Sequence, residues 1–268
     1  MKSFVRRLNN WWAAVASAPF VIFTVLNGYF VPADAAELIQ QGIGENHIAF
    51  EAEIGELHDA DINGILWGPV DASMAPDSPS GGLALLVPLA DEYADDSPGV
   101  GSPATAHPGG SASYQLNFTS PGEYFFYARV AYQDQEGDSS PGDEDSFYAP
   151  TDFGDSPDFI KQNRIRPLSV NQWNWHNVSD RLSLGWEGYI IGPYSVTNDD
   201  LGNTLQFVIG SREGGFLVDR IVLSSRASLT GVQLDVLPNS KVIPEPSTFI
   251  LCCLIGLASV GGTLRRSR

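Results

Sequence analysis

Along the middle of the chain apolar and polar residues alternate with a period of two, without the sustained 3.6-residue period of an amphipathic helix. Residues 48–54 include Phe50-Glu51-Ala52-Glu53-Ile54, in which apolar and acidic positions alternate as in a strand buried on one face. Residues 113–118 alternate in the same way, and Ser120-Pro121-Gly122-Glu123 reads as a turn leading into a strand over 124–132. Shorter runs at 83–87, 146–149, 174–178, 205–209 and 216–223 predict further strands, separated by Gly, Pro, Ser and Asp clusters. Strands recurring between turn signals predict an all-β domain, an antiparallel β-sandwich. Residues 91–110 and 133–143 read as long loops.

The two ends follow a different pattern. Lys2, Arg6 and Arg7 precede a nearly uncharged run over 11–31, and Ala33-Asp34-Ala35 offers an A-x-A cleavage site. Residues 1–35 therefore read as a signal peptide, with an uncleaved anchor as the alternative. At the other end, residues 242–268 contain Pro244-Glu245-Pro246-Ser247, the apolar run 249–264, and Arg265, Arg266 and Arg268. A helix of that run would be about 24 Å long, slightly under a bilayer core of about 30 Å. The terminal arginines would remain cytoplasmic. Between the two ends lies one domain, 36–241.

Charge and cysteine content narrow the picture. The chain of 268 residues carries a net charge of −17, with 32 acidic and 15 basic residues. Six of the bases but only Asp34 and Glu245 of the acids lie in the end segments, so residues 37–243 carry a net charge of −21. Such a domain is repelled by phosphate backbones, which excludes nucleic acid as a natural partner. Both cysteines, Cys252 and Cys253, fall in the tail. The domain must therefore hold together by packing, or by packing and metal.

Pro-Glu-Pro-Ser, one apolar helix and a terminal arginine cluster resemble the PEP-CTERM sorting signal. That resemblance implies recognition by an exosortase at a bacterial inner membrane, cleavage near Pro244, Glu245 and Pro246, and delivery to the cell surface or extracellular matrix. An ordinary C-terminal anchor is the alternative.

Inside the domain, an ordered series of short motifs carries a second resemblance. Phe50-Glu51-Ala52-Glu53 opens it, followed by Pro121-Gly122-Glu123-Tyr124 with Phe126-Tyr127-Ala128-Arg129-Val130. Asp145-Ser146-Phe147-Tyr148, Trp173-Asn174-Trp175 and Arg212-Glu213-Gly214-Gly215-Phe216-Leu217-Val218-Asp219-Arg220-Ile221-Val222-Leu223 complete the series. It looks like the galactose-binding-like, jelly-roll sandwich of family 6 and family 35 carbohydrate-binding modules, with about eight to ten strands. The resemblance implies a structural calcium ion held by Glu51, Glu53 and Asp219. Glu51 and Glu53, two apart, would point to one side of a strand. The alternative is solvated glutamates, with Asp219 paired to Arg212 or Arg220.

For sugar recognition the same resemblance points to Trp173 and Trp175; Tyr148, in or near an expected loop, is a further candidate. Aromatic rings stack on the apolar faces of sugars while polar groups fix orientation. Tyr93, Tyr132 and Trp186 lie in or near expected loops. The family's asparagine before the last strand is absent here, where Phe216-Leu217-Val218-Asp219 stands. The acidic loop Asp134, Glu136, Asp138, Asp143, Glu144 and Asp145 lacks EF-hand spacing. His47, His58, His107 and His176 are scattered, and no nucleophile elbow or phosphate loop is present. The expectation is a non-catalytic module that binds or organises extracellular polysaccharide. A structural or adhesive matrix protein with no sugar site is the competing class.

Overall fold

A computed structural model describes residues 37–59, 67–71, 79–87, 110–133, 146–155, 157–162, 172–179, 191–212 and 214–243. The described strands form two facing seven-stranded sheets. The first contains β1 (Leu38–Gln40), β3 (Glu56–Asp59), β6 (Gly110–Asn117), β8 (Phe147–Pro150), β9 (Phe159–Gln162), β12 (Thr204–Gly210) and β14 (Lys241–Ile243). The second contains β2 (His47–Glu51), β4 (Gly68–Asp71), β5 (Leu83–Leu86), β7 (Gly122–Tyr132), β10 (Asn174–Asn177), β11 (Tyr194–Val196) and β13 (Phe216–Ser224). Pairing is antiparallel except between β1 and β6. The expected β-sandwich is observed, with fourteen strands in place of eight to ten.

Alternation along the strands builds the core. From β7, Tyr124, Phe126, Ala128 and Val130 face inward, and from β6 Ala112, Tyr114 and Leu116 meet them. Phe126 lies edge-on to Phe147 at 6.2 Å, Tyr194 at 6.4 Å and Phe207 at 5.1 Å, so aromatic packing joins the two layers. His176 is buried opposite Ala128, on the core-facing side of β10.

Strand registers bring the described strand ends Asp59, Gly68, Leu86, Gly110, Tyr132, Phe147 and Gln162 to the same rim of the sandwich as the β12–β13 turn. In the turn, Gly215 takes φ +85°, a conformation costly for any residue with a Cβ, and its N–H and C=O bond Val87 and Gln133. Tyr93, Trp186, His107 and the acidic loop 134–145 lie outside the described residues. So do the signal peptide, Pro244, Glu245, Pro246 and the apolar run 249–264. Among the described residues no helix is long and apolar enough to cross a membrane.

The chain does not end with β13. Residues 225–240 form a strap across the outer face of the second sheet, with a one-turn helix, α1 (Gly231–Asp235), at its far point. Thr230 caps α1 by a reciprocal capping box with Gln233. Leu229, Leu234 and Leu237 of the strap cover Ala49, Tyr127 and Val222. Ser240 then bonds Ala49 through both its backbone N–H and its Oγ, and the chain crosses to the first sheet as β14. There Ile243 pairs with Leu38, so the described domain begins and ends at one strand pair.

Candidate functional site

The three carboxylates expected to gather do so, by a different local route. β2 stops at Glu51, and Ala52–Ile54 turns as a 3-10 helix, so Glu53 does not sit on the strand beside Glu51. The turn is fixed by Tyr114, whose hydroxyl donates to the Ala52 carbonyl at 2.8 Å. Asp219 comes from the opposite direction. Val218 faces Val130 and Arg220 faces Arg129, leaving Asp219 as the extra residue of a β-bulge. The bulge turns a fully buried carboxylate toward Glu51 and Glu53.

Ser80 and Gly81 lie where these side chains converge. The Ser80 N–H donates to Asp219 Oδ1 at 2.8 Å, and its hydroxyl lies 2.9 Å from Asp219 Oδ2 and in short contact with Glu51 Oε2. A Cβ at Gly81 would lie 2.7 Å from Glu53 Oε1 and 2.9 Å from Glu51 Cγ, so any larger residue there would force the two glutamate side chains to shift. Arg129 Nη1 meets Asp219 Oδ2 at 2.5 Å, and Asn239 of the strap donates to Glu51 Oε1 at 2.6 Å. The expected alternative pairing of Asp219 with Arg212 or Arg220 is thus replaced by Arg129. Arg220 turns instead to Asn239, to the carbonyls of Leu234 and Leu237, and to Glu51 at 3.8 Å.

The donors serve Asp219 and Glu51 but not all of Glu53. Ser80 has one hydroxyl proton between two carboxylates, and Glu53 Oε2 is buried with no hydrogen-bond partner among the described residues. Burial pushes the Glu53 carboxyl up to about 7, and the Glu51 and Asp219 charges add to that shift against its own backbone hydrogen bond. Burial also raises Asp219, opposed by Arg129 and Ser80. Among the described residues no group of three or more His, Cys, Asp or Glu side chains is arranged so that it could hold a metal ion as it stands.

The tryptophans form a second feature on the same outer sheet face. Trp175 lies opposite Arg129 across the β10–β7 ladder, and Trp173 precedes Asn174 by one residue, on the same side. Both rings are half-buried. Trp173 packs with Val70, Leu86, Ala131 and Leu217, and the Arg129 guanidinium lies 5.4 Å from its ring centre. Its Nε1 is buried with no hydrogen-bond partner among the described residues. Trp175 packs against the strap near Gly231 and donates from Nε1 to Asp235 Oδ1 at 2.7 Å.

Tyr148 lies elsewhere. It belongs to β8 of the first sheet, between core-facing Phe147 and Ala149, and is only 2% exposed. Tyr132 is likewise buried. The structure therefore brings Trp173 and Trp175 together but not Tyr148. Sequence reading missed Ser80, Arg129, Asp235 and Asn239, because each is joined to the candidate residues by a contact between distant segments. Only the bulge-breaking polar pair Asp219-Arg220 within an apolar strand hinted at them.

No family model matches the chain, and no curated protein matches it. Among solved structures it is similar to the C-terminal CBM6 of LamC, a marine laminarinase from Zobellia galactanivorans. That likeness has 16% identity and a TM-score of 0.36, covering 67% of this chain and 99% of that one. It is also similar to the Podospora anserina GH26-CBM35 β-(1,4)-mannanase, at 10% identity and TM-score 0.35, covering 70% of this chain and 29% of that one. The Arthrobacter globiformis T6 isomalto-dextranase complexed with panose matches at 12% identity and TM-score 0.34, covering 66% of this chain and 23% of that one.

Proposed function

We propose that this is an exported, exosortase-sorted bacterial surface or matrix protein whose non-catalytic sandwich binds or organises extracellular polysaccharide. The observation that carries the sugar-binding reading is the pair of partly exposed indoles, Trp173 and Trp175, side by side on one outer sheet face. A rigid strand can hold such rings ready for a sugar without an ordering cost at binding. The signal-like start and the Pro244-Glu245-Pro246 tail support export, passage through the inner membrane and sorting. Secretion machinery and an exosortase are the implied partners.

We further propose a structural calcium ion at Glu51, Glu53 and Asp219. What supports it is that three carboxylates converge and that Glu53 Oε2 has no hydrogen-bond partner among the described residues; the three side chains would have to close in to hold the ion. Bound there, the ion would neutralise like charges and tie β2, the Ser80 loop and β13 together.

Affinity electrophoresis of the full chain in detergent, against xylan, mannan, β-glucan and polyuronate gels, tests the sugar reading. Retardation by one polymer, lost in Trp173→Ala or Trp175→Ala with melting temperature unchanged, is the expected result. No retardation by any polymer sinks it and favours the matrix-protein reading. One observation favours that second reading: Arg129 already lies against Trp173, and the strap already packs on Trp175. Release of reducing sugar from any polymer would overturn the non-catalytic assignment.

A further inference from the structure

We infer that Asp235 of the strap is the polar partner of a sugar platform formed by Trp175, and that the pair takes a neutral, hydroxyl-rich sugar. This rests on the polysaccharide-binding reading and deepens it. Trp175 donates its indole N–H to Asp235 Oδ1 at 2.7 Å in an exposed contact. That bond fixes the indole edge and leaves Asp235 Oδ2 with no partner among the described residues. A partly exposed aromatic ring beside a free acceptor is the minimal equipment for a sugar: C–H groups pack on the ring and a hydroxyl donates to the carboxylate.

The pair is held in place from below. The nearest approach of a Cβ built at Gly231 to the Trp175 ring is 3.3 Å, so the first turn of α1 lies directly against the indole. Arg220 ties the strap to β13 through the Leu237 carbonyl at 2.5 Å and Asn239 Oδ1 at 2.7 Å. Leu234, the buried residue of α1, docks on the apolar patch of Ala49, Tyr127 and Val222. The carboxylate is thus preorganised on a bonded strap.

The chemistry of Asp235 selects the ligand. An ionised carboxylate only accepts hydrogen bonds, so the ligand must bring donors, and sugar hydroxyls supply them. A uronate or sulfate group would meet Asp235 and a domain of net charge −21, and would be repelled.

Asp235→Asn is the test. The asparagine keeps an oxygen for Trp175 Nε1 but replaces the free acceptor with a donor. On the full chain, xylan, mannan and β-glucan are titrated by affinity electrophoresis, with polyuronate as the acidic arm. The expected result is about tenfold weaker binding of the neutral polymer in Asp235→Asn, with the melting temperature unchanged. Wild-type affinity in Asp235→Asn, with binding still lost in Trp175→Ala, overturns the role of Asp235 and leaves polysaccharide binding standing. Preferential binding of polyuronate overturns the neutral-sugar assignment. Absence of binding to all four polymers removes the polysaccharide reading, and this inference with it.

Discussion

Asp219, the extra residue of the β13 bulge, meets Arg129 of the neighbouring strand at 2.5 Å, the carboxylate fully buried and the guanidinium about 20% exposed. Arg129 in turn lies 5.4 Å from the Trp173 ring centre, so one side chain links the carboxylate cluster to the tryptophan face. Removing either partner leaves a charge without its counter-ion. Asp219→Ala also strips the Ser80 N–H of its acceptor. The expected loss is about 3 kcal/mol of stability by denaturant unfolding, with Arg129→Met at least as costly because it strands the more buried charge. A loss below about 1 kcal/mol in both variants would show that the pair adds little beyond its surroundings.

Glu53 predicts how stability changes with pH. Its carboxyl is pushed up to about 7 in the folded chain from an ordinary value of 4.5, chiefly by burial. A raised carboxyl favours the folded state while protonated: the contribution is complete below about pH 4.5 and is lost as pH rises through about 7. The chelated protein should therefore melt at a lower temperature at pH 8 than at pH 5. Glu53→Gln should flatten that dependence. Calcium should restore the pH 8 melting temperature of the wild type and not of Glu53→Gln. A pH profile identical in both chelated proteins would remove Glu53 as its cause.

Local pattern made the long strands legible. Residues 113–118 and 124–132 alternate because one face meets the core, and they form β6 and β7 with nearly those bounds. Three or four residues are too few to establish a period, so β5, β8 and β10 were legible only as runs between turn signals, and the equally short β1, β3, β4, β9, β11 and β14 were not legible. Their place comes from partners distant in sequence, as when Leu38 pairs with Ile243. Glu51, Glu53 and Asp219 were foreseen as one cluster, whereas the geometry behind it was not. The 3-10 turn at Glu53 and the bulge at Asp219 depend on Tyr114 and on strand register, which no local window contains. A strand over 146–149 was legible, but not that Tyr148, paired with Gly210 and Lys161, would be buried there rather than open at a loop.

The turn after Glu51 is tightly packed. A Cβ on Gly55 would fall 2.6 Å from Cε1 and 2.8 Å from Cζ of Tyr114. That ring is buried, tilted against Phe50 with ring centres 4.8 Å apart, and held by its bond to Ala52. It cannot swing aside as a flexible side-chain end would. Gly55→Ala should cost about 1–3 kcal/mol through overpacking and should also weaken any calcium response, because Glu53 rides on the same turn. Thermal melts with and without chelator check both effects. Wild-type stability would mean that the ring yields without strain.

Arg220 makes the strap's attachment separable from the sandwich itself. Its guanidinium reaches the Leu234 carbonyl at 3.4 Å, the Leu237 carbonyl at 2.5 Å and Asn239 Oδ1 at 2.7 Å, a fork that a lysine ammonium cannot reproduce. β13 is otherwise paired along its length with β2, β5 and β7, so the strand survives loss of that fork. Arg220→Lys should therefore loosen residues 226–240 while leaving the sheets intact. Hydrogen exchange is the direct measure: strap amides should exchange at least tenfold faster than in wild type, and amides of β7 and β13 at unchanged rates. Trp175 fluorescence should shift to longer wavelength as its bond to Asp235 opens to water. Uniform acceleration across the domain would mean that the strap and sandwich unfold as one unit, and unchanged strap exchange would mean that Leu234 and Ser240 hold it without Arg220.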